Sequence, residues 1–385
     1  MHIGIVAPCS SGPLADLLPE SEGVDLGCGA HFMATLVRAL VGRRHRVSVI
    51  TLSPQLKETR VLMGPGLTYY VYPMRIKGRM RDLFKSERKG LKENIRLAKP
   101  DLLHAHWTYE FALASLETGL PTLVTSHDNA FQVLRFTTDL FRLGRLYLQL
   151  QVLRQARFMT AVSPYIAHSH RWLANTDIDV IPNAVEVPQQ ASAQSDREFE
   201  TIRIATVLNG WGNLKNSRTA ITAFAFLRRE LPGAEMFMYG TDFEVGGIAS
   251  RWAASTNHSQ NIHFRGSLPR PDLHRELKQM TMLLHPSLEE ACPMVILEAM
   301  ALNLPIVAGE NAGGVPWVLD EGRAGFLTDV RDPHKIAQAM LTCIREVGER
   351  RQKQLVAYNK VLGVFSPHSV AEQYESAYER VLSSH

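Results

Sequence analysis

Short apolar runs, each followed by a segment of helical spacing, recur in two long series along this chain, and one polar stretch parts the series. A strand that is apolar throughout has to be covered on both faces. Strand and helix in strict alternation therefore predict parallel sheets with helices above and below. In the first series the predicted strands are His2–Ala7, Val47–Thr51, Leu67–Pro73, Leu102–His106, Thr122–His127, Phe158–Val162 and Asp179–Ile181. Between the first two, Ala30–Val41 carries Phe32, Met33, Leu36, Val37 and Leu40 at helical spacing and enters from Gly27-Cys28-Gly29. From Val185 to Thr201 the composition turns to Pro, Gln, Ser and Ala, which is that of a linker.

The second series predicts strands at Arg203–Leu208, Glu235–Tyr239, Asn261–Phe264, Met282–His285, Pro305–Ala308 and Gly325–Leu327. Its predicted helices are Ser217–Glu230, Pro271–Met280, Pro293–Leu302 and Pro333–Val347, and Pro367–Leu382 closes the chain as one amphipathic helix. With 385 residues either half can bury its own core. The division expected is 1–185, a hinge at 186–200, 201–366, and the closing helix at 367–385. Sheets of this kind bind ligands beyond the carboxyl ends of their strands, so two such halves facing each other make a cleft.

Four scattered cysteines (Cys9, Cys28, Cys292 and Cys343) fit neither a zinc site nor a disulfide framework. The apolar run His2–Ala7 reads as a strand rather than a signal peptide, and no run of 18 apolar residues occurs. A cytoplasmic protein, at most peripheral to a membrane, is expected, and the modest net charge of +4 argues for no nucleic-acid partner. That charge is uneven: Arg75 to Lys99 holds ten Lys or Arg against three acids. Such a patch is either a solvated loop and helix face or a surface that meets an anionic membrane or an anionic acceptor.

The most informative stretch is His285 to Leu302, HPSLEEACPMVILEAMAL. A strand ends at His285-Pro286-Ser287, a loop carries Glu289 and Glu290, and Pro293 suits the first helical position. The first turn of that helix offers unpaired N–H groups and a positive dipole end to a phosphate or a sugar hydroxyl. Glu298 sits among Val295, Ile296, Leu297, Ala299 and Met300, where a carboxylate needs a partner and a ribose diol would supply two donors. A second corner, Asn311-Ala312-Gly313-Gly314-Val315-Pro316, again ends a strand with small residues that let a ligand approach the backbone.

These residues resemble the retaining GT-B glycosyltransferases of the large family four. That family shares Pro-Ser, then Glu, seven residues, Glu-Ala-Met-Ala, a Pro-containing strand and a Gly-Gly turn. This chain has Pro286-Ser287, Glu290, Glu298-Ala299-Met300-Ala301, Pro305 and Gly313-Gly314. Gly27–Ile50 resembles the family's glycine loop, helix and His-x-Val strand, and Ile181-Pro182-Asn183 its strand before the hinge. The resemblance implies an α/β chain of GT-B fold: two Rossmann-like domains facing across a cleft, with the closing helix returning to the N-terminal domain. It also implies a hexosyltransferase that uses a nucleotide-sugar as co-substrate, without a cofactor or a metal, on a glycan, lipid-linked or small-molecule acceptor.

By the same resemblance, Glu298 would bind the donor ribose and Glu290 the transferred sugar. Backbone N–H groups near Cys292, Met294 and Val295, with the Gly313-Gly314 turn, would hold sugar hydroxyls or phosphate. Lys215 would neutralise the diphosphate, and His127 would orient the sugar or the acceptor. Gly27, Gly29 and His106 would line the acceptor side. Three positions depart from the pattern. Gly210 stands where an Arg is usual, which leaves Arg265 as a candidate substitute in the donor site; Trp317 replaces an acid; and the glycine loop reads Gly27-Cys28-Gly29. Asp177-Ile178-Asp179 spells a metal-type motif but lies far from the phosphate corner. His104 and His106 read equally as packed core histidines. An epimerase or glycan phosphorylase on the same frame, or a non-catalytic sugar-nucleotide-binding module, stays open. A nicotinamide dehydrogenase is disfavoured, because no G-x-G-x-x-G follows the first strand.

Overall fold

The computed structural model describes residues 1–19, 24–188 and 201–384. Most of the expected hinge, from 189 to 200, lies outside the described residues. The chain divides into two units, Met1–Ala184 with Pro367–His385, and Val185–Ser366.

The strands of the first unit are β1 (His2–Val6), β2 (Arg46–Ser53), β3 (Arg60–Gly64), β4 (Leu67–Pro73), β5 (Leu102–His106), β6 (Thr122–Ser126), β7 (Phe158–Ala161) and β8 (Ile178–Val180). Its helices are α1 (Met33–Gly42), α2 (Lys85–Ala98), α3 (Glu110–Leu116), α4 (Ala130–Phe136), α5 (Leu140–Gln155) and α6 (Pro164–His170). The second unit holds β9 (Arg203–Val207), β10 (Glu235–Tyr239), β11 (Ile262–Gly266), β12 (Met282–His285), β13 (Ile306–Gly309) and β14 (Phe326–Thr328). It also holds α7 (Ser217–Glu230), α8 (Ile248–Ser255), α9 (Arg270–Leu277), α10 (Met294–Ala301), α11 (Val315–Val318), α12 (Pro333–Arg345) and α13 (Val347–Lys360). The closing helix, α14 (Pro367–Ser383), belongs to the first unit.

The first sheet runs β3-β4-β2-β1-β5-β6-β7-β8, parallel throughout except for the antiparallel pair β3·β4. Within β1, successive residues serve opposite faces, as strand geometry requires. Ile5 packs with Val47, Val49, Leu36 and Leu40 on the face that α1 and α14 cover. Val6 packs with Ile50, Leu91, Ile95 and Val152 on the face that α2, α3 and α5 cover. The closing helix is tied down through Glu375, which accepts from Arg43 Nε at 2.8 Å and lies 2.6 Å from His45 Nε2. The Arg43 hydrogen bonds, with His45 adding, hold its carboxyl at about 2 against a burial that favours the neutral acid.

The second sheet, β11-β10-β9-β12-β13-β14, is parallel throughout. Ile204, Met236, Leu284 and Val307 pack there against Ile221, Phe224 and Leu227 of α7 and Ile336 and Met340 of α12.

Each parallel sheet has one place where successive strands stop adding to one edge and begin adding to the other. In the first it lies between β1 and β5, in the second between β9 and β12. The loops leaving such neighbouring strands diverge to opposite faces and open a crevice at their carboxyl ends.

Candidate functional site

In the second unit the loops after β9 and β12 bring two distant residues together. The first closes in a short 3-10 turn, Asn213–Lys215. Lys215 Nζ donates to Glu290 Oε1 at 2.7 Å across a separation of 75 residues. His285 Nε2, at the end of β12, lies 3.3 Å from the same oxygen. Burial alone would raise the Glu290 carboxyl, but Lys215 and His285 more than offset it and hold the group well below the usual carboxylate range.

Backbone bonds fix this geometry. Leu288 N–H donates to Leu214 O at 2.9 Å, and Gly314 N–H donates to Glu290 O at 2.7 Å. Asn216, in the left-handed region at φ 53°, donates its Nδ2 to Pro286 O at 3.2 Å and to Val330 O at 2.7 Å. Loops from four strand ends (β9, β12, β13 and β14) are thereby joined, and the Gly313-Gly314 turn (Gly313 at φ 62°) lies against the Glu290 loop.

Pro293 caps α10 rather than opening it. The first intrahelical bond comes from Ile296 N–H to Pro293 O, so the Met294 and Val295 N–H groups precede the hydrogen-bonded ladder. Cys292, just before the cap, is buried. Glu298, one turn inside α10, is only 8% exposed, which makes its partners decisive. They come from α9: Arg270 Nη2 lies at 2.8 Å and His274 Nε2 at 3.5 Å. Neither residue was singled out in the sequence. Arg-Pro at a helix start is an ordinary pattern, and only tertiary packing sets it against Glu298. His285 and Asn216 were missed too, although His285 ends a predicted strand and so stood where a ligand group is expected.

Other expected donor residues lie apart from this pair. Gly210 adopts φ 92° and donates its N–H to Thr241 O. Arg265 is on the edge strand β11 and pairs with Glu276 at 3.3 Å, not with Lys215 or Glu290. Trp317 lies in α11, where its carbonyl and ring both meet Lys360.

In the first unit, Gly27 follows the β1 loop at φ 107°, and a Cβ there would sit 1.9 Å from Cys9 O. Gly29, at φ 58°, has open space instead, and its carbonyl accepts from Ser10 Oγ. At the ends of β5 and β6, His106 Nδ1 lies 2.9 Å from His127 Nε2, and the Trp107 ring stacks on His127 at 4.2 Å. His104 bridges Tyr378 Oη of α14 and Thr125, each at 2.7 Å. His104 and His106 are both buried, as the packed-core reading expects, and His106 also touches His127. Burial pushes the His127 imidazole down to about 3, so it is neutral at ordinary pH. Asp179 pairs with Arg380 on α14.

In the basic stretch, Arg75 is paired with Asp82 and Glu87, and Arg88 and Lys92 with Glu117. No described helix is long and apolar enough to cross a membrane.

Comparison with known proteins bears on both units. Residues 202–346 match the model described as glycosyl transferases group 1, and residues 29–188 match glycosyltransferase family 4. The chain is 24% identical over 300 residues to an N-acetyl-alpha-D-glucosaminyl L-malate synthase of Bacillus anthracis, an alignment covering 73% of this chain and 75% of that one. Among solved structures it shares its fold with sucrose-phosphate synthase of Thermosynechococcus elongatus, with a TM-score of 0.79, 17% identity and full coverage of both chains. It is also similar to Anabaena HepE, solved in complex with UDP-glucose, with a TM-score of 0.69, 17% identity and full coverage of both.

Proposed function

The chain belongs to the family 4, group 1 glycosyltransferases, and from that premise we propose that it transfers a hexosyl group from a nucleoside-diphosphate sugar to an acceptor hydroxyl with retention of configuration. The observation that carries this reading is the Lys215–Glu290 contact at the β9/β12 switch point, beside the N-terminus of α10. A compact ammonium suits a diphosphate whose charge grows as the sugar leaves, and the helix end adds N–H donors on the same side. Glu290, ionised, accepts from hydroxyls of the transferred sugar. Glu298 accepts from the ribose diol, displacing or sharing its contact with Arg270.

In the reaction the bond from the anomeric carbon to the diphosphate oxygen breaks, and a bond to the acceptor oxygen forms on the same face. The acceptor proton passes to the departing phosphate oxygen. Lys215 and the α10 N–H groups stabilise that oxygen, and the reading assigns no step to a metal ion. His127, neutral, donates a hydrogen bond to the sugar or the acceptor. The exposed Lys77, Arg81, Lys85, Arg96 and Lys99, with Lys89 beside Glu93, are the groups through which the 75–99 stretch would meet an anionic surface.

The test is a panel of uridine-, guanosine- and adenosine-diphosphate sugars with the purified full chain, read by nucleotide release and by NMR of the product anomer. One donor should be consumed, with its configuration kept. Inverted product would overturn the retaining reading. Binding without turnover on any acceptor would favour a non-catalytic sugar-nucleotide module, which the missing cation at Gly210 makes a genuine second reading.

A further inference from the structure

On the proposed reading His127 donates a hydrogen bond to a reactant, and two neighbours from the end of β5 hold its ring. Trp107 fixes the plane: its ring stacks on His127 with 4.2 Å between centroids and 23° between planes. It does so from the left-handed region, at φ 64°, a conformation that a bulky residue keeps only where the surrounding structure enforces it. The Trp107 N–H donates to Thr125 O at 2.9 Å, which helps to hold that turn. His106 fixes rotation within the plane, because its Nδ1 lies 2.9 Å from His127 Nε2. His106 is braced in its turn. Its ring centroid lies 3.9 Å from that of His104, and both nitrogens of His104 are taken by hydroxyls, Tyr378 Oη of α14 and Thr125 Oγ1.

These contacts locate the protons. Burial keeps all three imidazoles well below the usual histidine value, so each carries a single N–H. Two bare nitrogens, or two N–H groups, would repel each other across the 2.9 Å contact, so one N–H lies between His106 and His127. Among the described residues His106 Nε2 is buried and meets no partner. A proton there would be an orphaned buried donor, and a bare lone pair is the less costly orphan. The proton of His106 therefore sits on Nδ1 and is donated to His127 Nε2. The proton of His127 is then on its Nδ1, which makes no hydrogen bond among the described residues, on a ring that keeps 8% of its surface exposed.

We infer that His106 is a positioning residue: it occupies Nε2 of His127 and so sets the tautomer in which Nδ1–H is the donor offered to the reactant. The catalytic meaning of this rests on reading the chain as a glycosyltransferase, and it names the atom through which His127 acts. The tautomer itself does not depend on that reading.

The experiment is nitrogen-15 NMR of the full chain labelled at histidine, with the His127 signals identified by their loss in H127Q. At neutral pH wild type should show a pyrrole-type Nδ1 and a pyridine-type Nε2 on His127, and the opposite tautomer would overturn the inference. This arm needs no variant at position 106 to fold. H106L, which removes the donor, should mix the two tautomers, and H106N, whose amide places an N–H near the position of Nδ1, should restore the wild-type pattern. In turnover of whichever nucleotide-sugar the chain consumes, H106L should lower kcat about ten-fold or more with the donor KM nearly unchanged, and H106N should recover most of that loss. H106L in an H127A background should cost little further, because His106 acts through His127. An unchanged His127 tautomer in H106L, or an equal loss of kcat in both backgrounds, would overturn the inference. If no nucleotide-sugar is turned over, the glycosyltransferase reading fails, and the NMR signature still decides the tautomer.

Discussion

Lys215 Nζ and Glu290 Oε1 lie 2.7 Å apart although 75 residues separate them, and the sheet's switch point is what brings them together. Both side chains are mostly buried, with 25% of Lys215 and 16% of Glu290 left exposed to solvent.

Replacing either residue should cost activity far more than stability. K215A or E290Q should lower kcat/KM by about 10²–10³-fold, with a thermal midpoint within a few degrees of wild type. The double variant should lose little more than the worse single one, because the two groups act together. Steady-state kinetics on the four proteins check this, and strictly additive losses would show that the residues act independently.

Glu298 should govern the nucleoside and not the phosphates. E298Q should weaken nucleoside-diphosphate binding roughly ten-fold or more, the cost of losing charged hydrogen bonds to two hydroxyls. Inorganic pyrophosphate, which has no ribose, should bind both proteins alike. Equal weakening of the two ligands would place Glu298 at the phosphates instead.

Gly27 should tolerate no side chain. At φ 107° an alanine Cβ would lie 1.9 Å from the backbone oxygen of Cys9, where no rotamer change can relieve it. G27A should destabilise the first unit by on the order of 3 kcal/mol. G29A, with open space around it, should cost about 1 kcal/mol from its φ alone. Denaturant melts of the two variants check the contrast.

Acid should destabilise the protein through its buried histidines. Burial holds His127 at about 3 and His170 at about 4, below the ordinary value of 6.5. Below pH 6.5 the unfolded chain binds protons that the folded one refuses, so stability rises with pH across that window and falls as the solution is acidified. Each such histidine contributes a slope approaching about 1.4 kcal/mol per pH unit. Denaturant midpoints at pH 7.5 and pH 5.5 should differ accordingly, and a flat profile would mean these imidazoles titrate freely.

The parallel sheets were legible because strands such as Leu102–His106 and Met282–His285 carry adjacent leucines that face opposite sides of the sheet and are buried along their whole length. The edge strand Arg60–Gly64 was not, since only Leu62 is buried and five residues carry no readable alternation. Helix Leu140–Gln155 also escaped, because Leu140 and Leu143 face solvent while Leu148, Val152 and Leu153 are buried, which blurs the apolar stripe. At the site, Glu290, Glu298 and Lys215 stood out by motif. Arg270 and Asn216 did not, because what selects them is contact with residues far along the chain: Glu298 for the one, and the carbonyls of Pro286 and Val330 for the other.

The central claim is that the Lys215, Glu290 and Gly313-Gly314 loops form a ready-made diphosphate site. Calorimetric titration of UDP, GDP and ADP into wild type and K215A tests it most directly. The account predicts that one nucleotide binds wild type at one site per chain and binds K215A at least ten-fold more weakly. If none of the three binds, or if K215A binds as wild type does, the account is contradicted.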